Sequence, residues 1–403
     1  MSLATLYLNP QKDRRVKRGH LWIYSNEVDT KRSPLKGIEP GAAMRVVNAR
    51  DQFIGVALVN PASLICARLI SRQDAPFSAA DFAANLLPQR LQSALGVRDA
   101  AFSEPYYRLI FGDSDFLPGL VVDRFGDYLV VQIASAGMEN LRAEIVEALV
   151  TLLSPKGVLL ANEHSARSLE GLPLYTEVAY GEVPEQVPLI ENGAHFLAPV
   201  RTGQKTGWFY DHRMARAQLQ SWAKGARVLD VFSYIGGWGI EALVAGAESL
   251  VCVDASQSAV DAVYANAALN SVEDRVEAIA GKAIDALKQL IAQGRQFDVV
   301  VLDPPAFIKR RKDQQAGEAA YRHINELGLQ LLADGGLLVS ASCSMHLAEQ
   351  TLIEIVHASA WKRGRDARII QRMGQGADHP THPAIVETNY LKAIFARVTT
   401  RPS

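Results

Sequence analysis

"RVLDVFSYIGGWGIEALVAGAESLVCVD", residues 227–254, contains two short apolar runs that end on the carboxylates Asp230 and Asp254. A short apolar run bounded by turn residues reads as a strand buried on both faces. The segment between them, near 238 to 246, has helical character and opens on Gly236, Gly237 and Gly239. The same alternation continues downstream. A helix from Ser256 to Asn270, the run "VEAIAG", a helix near 283 to 293, the run "FDVVVLD", a helix near 317 to 332 and the run "GLLVSAS" follow in order. Such alternation predicts an α/β, Rossmann-like domain with an open, mostly parallel sheet and helices on both faces.

In doubly wound sheets, ligands bind outside the carboxyl ends of the strands. The predicted strands end in Asp230, in Asp254, in "AGKAID" with Asp285, in Asp303 and in Ser342-Cys343. Any one of these acids serves equally well as a helix cap, but the set forms a constellation. The glycine loop lacks the G-x-G-x-x-G spacing that cradles a pyrophosphate, which disfavours NAD. Asp254 follows Asp230 by 24 residues, where an acid commonly receives ribose hydroxyls. A nucleoside cofactor without a diphosphate satisfies both facts, and S-adenosylmethionine is the natural candidate.

The stretch "FDVVVLDPPAFIKRRKD", 297–313, adds Pro304 and Pro305 behind Asp303, then Lys309, Arg310, Arg311 and Lys312. Proline cannot continue a ladder and restricts the residue before it, so Asp303 should be held in one geometry. Of three cysteines, Cys66 in "LICARLI" and Cys252 in "LVCVD" sit inside apolar strand patterns, where a thiol is usually an inert small hydrophobe. Cys343 instead follows an apolar run, among Ser340, Ser342 and Ser344, with His346 three residues on. That position suits an accessible thiol.

The rest of the chain differs in character. Its 403 residues imply about two or three domains. The 48% hydrophobic and 21% charged content is that of a soluble globular protein. No uninterrupted apolar stretch approaches the roughly 18 residues of a membrane span, and "MSLATLYLNPQKDRR" lacks a signal-peptide core, so a cytoplasmic location is expected. No disulfide framework or zinc spacing is present, and no metal is expected. Residues 1–72 read as a β-rich module with a local net charge of +7 inside a chain of net charge -1. Lys12, Arg14, Arg15, Lys17 and Arg18 cluster there, ahead of Trp22 and Tyr24, as a phosphate-binding surface with stacking aromatics would require. Residues 73–187, from the helix-like "PFSAADFAANLLPQRLQSALG" onward, read as an α+β middle domain. Residues 188–403 hold the alternating pattern, introduced by a hairpin signal at Asn192-Gly193.

The motifs "DVFSYIGGWG", "CVDAS", "LDPPAF", "SASCS" and the upstream "GQKTGWFYDHR" resemble the signature run of bacterial 23S ribosomal RNA (cytosine-5)-methyltransferases. The likeness spans nearly the whole chain. It implies an N-terminal PUA RNA-binding domain over 1–72, a central domain, and a class I methyltransferase domain with a seven-stranded sheet. It further implies that Lys205, Thr206, Gly207, Phe209, Asp211 and Arg213 line the methionine end of an S-adenosylmethionine site. Asp230, Ser233 and Gly236 would lie beneath that cofactor, Asp254 would hold its ribose and Asp285 its adenine.

Carbon 5 of cytosine is not nucleophilic until a thiolate adds to C6. Cys343 would be that thiolate, and Asp303, also counted at the cofactor, would hold the base near N3. No cysteine occupies the position after Pro305, where two-cysteine RNA cytosine methyltransferases carry a second thiol, and the acceptor of the C5 proton is unassigned. The basic run 309–312 and the front cluster would take phosphates of 23S ribosomal RNA. Two other readings stay open: an amino-group methyltransferase acting on an RNA base, and a non-catalytic RNA-binding assembly factor. The modified cytosine, naked RNA against assembling subunit as substrate, and monomer against homodimer are all left open.

Overall fold

The computed structural model describes residues 3–73 and 78–402, and the chain divides into two compact units. The first comprises Met1–Pro188, Ala198–Tyr210 and Ala377–Thr388; the second comprises Leu189–Leu197, Asp211–Gly376 and Asn389–Ser403. The expected third segment, 188–403, therefore gives two of its own pieces to the first unit.

In the second unit the runs of residues 227–254 are adjacent parallel strands. We label its strands β1 (Arg227–Val231), β2 (Ser249–Asp254), β3 (Val276–Ala280), β4 (Phe297–Leu302), β5 (Leu332–Ser342), β6 (Arg365–Met373) and β7 (Lys392–Thr400). Its helices are α1 (Arg213–Ala223), α2 (Gly237–Val244), α3 (Gln257–Leu269), α4 (Ala283–Ala292), α5 (Gln314–Leu331) and α6 (Glu349–Trp361). The spatial order is β3-β2-β1-β4-β5-β7-β6, with β7 antiparallel to both neighbours and the others parallel. The mostly parallel α/β architecture expected from the alternation is thus present. Val228, Leu229, Val231, Val299, Val300, Val301 and Leu302 are all buried, as a central strand covered on both faces requires. Strand order reverses direction at β1 and β4, so the crevice outside their carboxyl ends is a topological switch point.

The first unit has two five-stranded sheets. One takes Thr5–Tyr7, Ala42–Val47, Phe53–Val59, Ala67–Ser71 and Trp22–Ile23 in that spatial order, and is the β-rich front module. The other takes Tyr175–Gly181, Gly157–Asn162, Tyr128–Ile133, Leu120–Phe125 and Tyr106–Phe111. Helices Leu87–Ala101 and Arg142–Leu153 bury Leu87, Leu91, Ile145 and Leu149 in one core with Leu109, Val122, Val131 and Leu160 of that sheet. The helix expected from "PFSAADFAANLL" opens instead as one short turn and a π-helical stretch, Phe82–Leu86, before regular helix begins; Pro76 and Phe77 lie outside the described residues. Asn192 (φ 50°) and Gly193 (φ 85°) make the predicted hairpin turn between Val187–Glu191 and Ala194–Ala198.

Candidate active site

The loop after β1 is the most strained backbone at the sheet's carboxyl edge. Phe232 (φ 66°) and Tyr234 (φ 50°) both hold left-handed conformations that cost non-glycine residues about 1–3 kcal/mol each, and Gly236 follows at φ 90°. Hydrogen bonds enforce the shape. The Phe232 and Ser233 N–H groups both donate to the Val253 carbonyl, at 2.8 and 3.1 Å. The Tyr234 N–H donates to Asp254 Oδ2 at 2.9 Å, while Asp254 Oδ1 accepts from the Ser256 N–H at 2.9 Å. Asp254 therefore ties the end of β2 to the loop after β1, and each oxygen keeps a lone pair for a further donor. Ser233 is buried nearby.

Asp230 is fully buried in β1. Its Oδ2 accepts from the Gly239 N–H at 3.0 Å in the first turn of α2, and its Oδ1 has no hydrogen-bond partner. Burial, with the charges of Asp303 and Asp254 adding, pushes its carboxyl up to about 7 despite the Gly239 N–H. Three carboxylates thus converge at the ends of β1, β2 and β4, one of them with an orphaned oxygen. Among the described residues, no group of three or more His, Cys, Asp or Glu side chains is placed to hold a metal.

Asp303, directly after β4, is bound on both oxygens. His212 Nε2 lies 3.1 Å from Oδ1, and Trp238 Nε1 donates to Oδ2 at 3.0 Å. Burial alone would raise its carboxyl, but the His212 charge and the two hydrogen bonds outweigh burial and hold it below the ordinary value. The reciprocal holds for His212, where burial opposes and Asp303 prevails, so the imidazole is raised. Nothing in the sequence reading singled out His212 within "GWFYDHR". Its Nδ1 is buried without a partner, and its ring lies 5.3 Å from that of Trp238.

Cys343 follows β5, two register positions beyond the residue level with Asp303, since Leu302 pairs with Ser340. It is half-buried, whereas Cys66 and Cys252 are fully buried. Burial pushes the Cys66 thiol up to about 12 and raises Cys252 further from reactivity. The loops that carry Asp303 and Cys343 are locked together. Ser344 Oγ donates to the Ile308 carbonyl at 2.6 Å and accepts from the Ile308 N–H at 3.2 Å. Gly317 allows this: a Cβ there would stand 2.2 Å from Ile308 Cγ1. Lys392 of β7 donates to the Ser344 and Leu347 carbonyls, at 2.5 and 2.7 Å. Burial pushes its ammonium down to about 8, and Cys343 is among the groups that pull it back up. Lys392 is thus a cation close to the thiol that sequence reasoning missed, because β7 was not read at all.

The remaining expected cofactor residues fall in both units. Asp285 is exposed in the first turn of α4, five residues beyond the end of β3. Asp211 accepts from the Tyr390 hydroxyl at 2.6 Å. Arg213 is buried and engages Glu191 at 3.3 Å, beside the Arg216–Glu191 pair at 2.5 Å. Lys205, Thr206, Gly207 and Phe209 belong to the first unit. There the Thr206 hydroxyl donates to Asp123 Oδ2 at 2.6 Å, a carboxylate already gripped by Arg108, and the exposed Lys205 lies over Phe209. Of the basic residues, Lys12, Arg14 and Arg18 are exposed, Arg15 pairs with Glu27, and Lys17 pairs with Asp13. Lys309, Arg311 and Lys312 are exposed, and Arg310 pairs with Asp313.

The family model for S-adenosylmethionine-dependent methyltransferases matches residues 142–397, and that for PUA-like domains matches residues 6–72. The chain is 33% identical over 398 residues to ribosomal RNA large subunit methyltransferase I of Erwinia tasmaniensis, covering 98% of this chain and 99% of that one. Against the protein of the same name from Cronobacter sakazakii the identity is 34% over 399 residues, with the same coverage of 98% and 99%. The crystal structure of SMU.776, assigned as a methyltransferase and complexed with SAH, superposes with a TM-score of 0.81 at 20% identity, over 98% of this chain and 100% of that one. At that identity the likeness shows the fold. The chain belongs to the S-adenosylmethionine-dependent methyltransferases, in the family of ribosomal RNA large subunit methyltransferase I.

Proposed function

We propose that the protein methylates C5 of a cytosine in the 23S RNA of the large ribosomal subunit, with Cys343 as the nucleophile. The substrate class rests on the name its relatives carry, and the position on the ring rests on the site. The observation that carries the reading is the pairing of Cys343, half-buried beside Lys392, with an ionised Asp303 on a loop hydrogen-bonded to its own. S-adenosylmethionine supplies an electrophilic methyl on a sulfonium. Asp230, Ser233, Gly236 and Asp254 would hold it, with Asp285 as the outermost contact.

The Cys343 thiolate adds to C6, forming a C–S bond and shifting the C5–C6 electron pair so that C5 becomes enamine-like. Lys392 favours the thiolate by its charge. Asp303, kept ionised by His212 and Trp238, accepts hydrogen bonds from the N4 amino group or a protonated N3. Once C5 has taken the methyl, loss of its proton returns the electron pair and expels the thiolate. The base must be unpaired or flipped out to be reached. Residues 1–72 and the 309–312 run would supply phosphate affinity, 73–187 a scaffold, and 188–403 most of the chemistry.

Nucleoside mass analysis of RNA methylated by the purified protein tests the reading. Fragmentation should give 5-methylcytidine. An N-methylated base would install the amino-group reading instead, and tight RNA binding without transfer would install the assembly-factor reading.

A further inference from the structure

Tyr321 of α5 is fully buried, in a small core with Ile308, Leu347 and Ile355. Two of these neighbours come from the loops of the site, since Ile308 follows Asp303 and Leu347 follows Cys343. The Tyr321 ring stands 4.8 Å from that of Phe307, whose ring in turn meets Phe232 of the strained loop after β1 at 6.4 Å. A phenylalanine would make the same ring contacts without burying a hydroxyl, so the hydroxyl has a use of its own.

That hydroxyl lies 2.8 Å from Oγ of Ser342, the last residue of β5. Ser342 Oγ also accepts from the Ser344 N–H at 3.0 Å, and Ser344 Oγ bonds both the N–H and the carbonyl of Ile308. Ser342 and Ser344 are buried, and Cys343 between them is half-buried. The hydroxyl chain thus fixes the backbone on either side of the thiol. Lys392 of β7 grips the same turn through the Ser344 carbonyl. Burial raises the Tyr321 phenol most and Cys343 raises it too, with hydrogen bonds to Ser342, the Phe307 backbone and Ser344 opposing, so the group is neutral at neutral pH.

We propose that Tyr321 is a positioning residue for the Cys343 thiol: through Ser342 and Ser344 its hydroxyl sets where the sulfur stands relative to Asp303 and Lys392. The inference rests on the reading of Cys343 as the nucleophile and adds the residue that aims it. A thiolate reaches C6 productively from about 3–3.5 Å, while Asp303 holds the same base by its edge, so the two loops must keep one spacing. Tyr321 spans them, with its ring on Phe307 of the Asp303 loop and its hydroxyl on Ser342 at the head of the other.

The test is steady-state methyl transfer by the full-length protein, read together with alkylation of Cys343 by iodoacetamide in the absence of RNA. Cys66 and Cys252 are fully buried, so mapping the alkylated peptide isolates Cys343. A misplacement of about 1 Å costs about 10²-fold, so Tyr321→Phe should lower kcat about 10- to 100-fold with KM for RNA and for S-adenosylmethionine unchanged. Ser342→Ala should act alike, and the double variant should lose no more than either single one, because the same chain is broken once. Ile355→Ala cuts the same core without touching the chain; it should lower the melting temperature at least as far and leave kcat unchanged. The titratable groups on the elements around the thiol are Lys392 of β7, Tyr321 of α5, Glu349 of α6, Asp303 after β4 and His346 on the loop itself, and Lys392 is the cation among them whose charge couples to Cys343. The pH of half-maximal alkylation should therefore rise in Tyr321→Phe, as the thiol drifts from that cation. An unchanged kcat with an unmoved or lowered alkylation midpoint, or a kcat loss that Ile355→Ala reproduces, overturns the positioning role. The methylated product separates the two ideas. 5-Methylcytidine from the unaltered protein, with kcat and midpoint unmoved in Tyr321→Phe, refutes the positioning role alone, whereas an N-methylated base with a raised midpoint in Tyr321→Phe refutes the cysteine mechanism alone.

Discussion

His212 shows how one side chain sets the charge of another. Its imidazole is raised above 6.5 by Asp303, and Asp303 is held below 3.8 largely by His212. A group raised on folding contributes stability that is complete below its unfolded value and is lost as pH climbs through its folded value. A depressed carboxylate keeps its contribution until pH falls through its own folded value. The pair should therefore stabilise most between the two unfolded values, near about pH 5.5. His212→Gln should lower the melting temperature most there, by the equivalent of about 3 kcal/mol for a broken buried pair, with the gap narrowing toward pH 9. A gap that widens with pH would contradict the assignment. Asp303 and Cys343, to which the proposed chemistry is assigned, were legible as strand ends because each follows an apolar run beside residues that stop a strand. His212 and Lys392 were not, since what makes them important is a partner far along the chain.

At the scale of elements, the strained loop after β1 depends on Asp254 for the acceptor that holds the Tyr234 N–H. Asp254→Ala removes both that tether and a carboxylate available to a ribose. A hydrogen bond to a charged group contributes about 1.5–3 kcal/mol, so calorimetric affinity for S-adenosylmethionine should fall about 10- to 100-fold. An unchanged affinity would move the ribose site elsewhere. β1, β2, β4 and the end of β5 were readable because strands buried on both faces are continuous apolar runs. β6 was harder to read: alternate residues of Arg365–Met373 are exposed, and five of its nine residues are arginine, aspartate or glutamine outside the apolar pattern's reach. The loop strain was invisible, because no residue type announces a positive φ at phenylalanine or tyrosine.

The whole molecule is threaded twice through its first unit after that unit's main run has ended. Segment 198–210 is fixed there by Thr206 on Asp123 and by the Tyr210 hydroxyl, which donates to the Arg124 carbonyl at 2.8 Å. Segment 377–388 is fixed by Ile385. Ile385→Ala should destabilise the first unit by about 2–4 kcal/mol, read as a lower urea midpoint, and an unaltered midpoint would contradict its anchoring role. Such returns are not legible in sequence, since an isolated "HPTHPA" has neither helical nor strand periodicity. The central claim concerns what the complete protein does to its RNA, and a substrate that cannot finish the reaction tests it most directly. With S-adenosylmethionine and RNA carrying 5-fluorocytosine, fluorine cannot leave as a proton does, so the C6–S bond should survive denaturing electrophoresis and map to the Cys343 peptide. Cys343→Ala should give no adduct and no methyl transfer. An adduct on another residue, or full transfer by Cys343→Ala, would contradict the account.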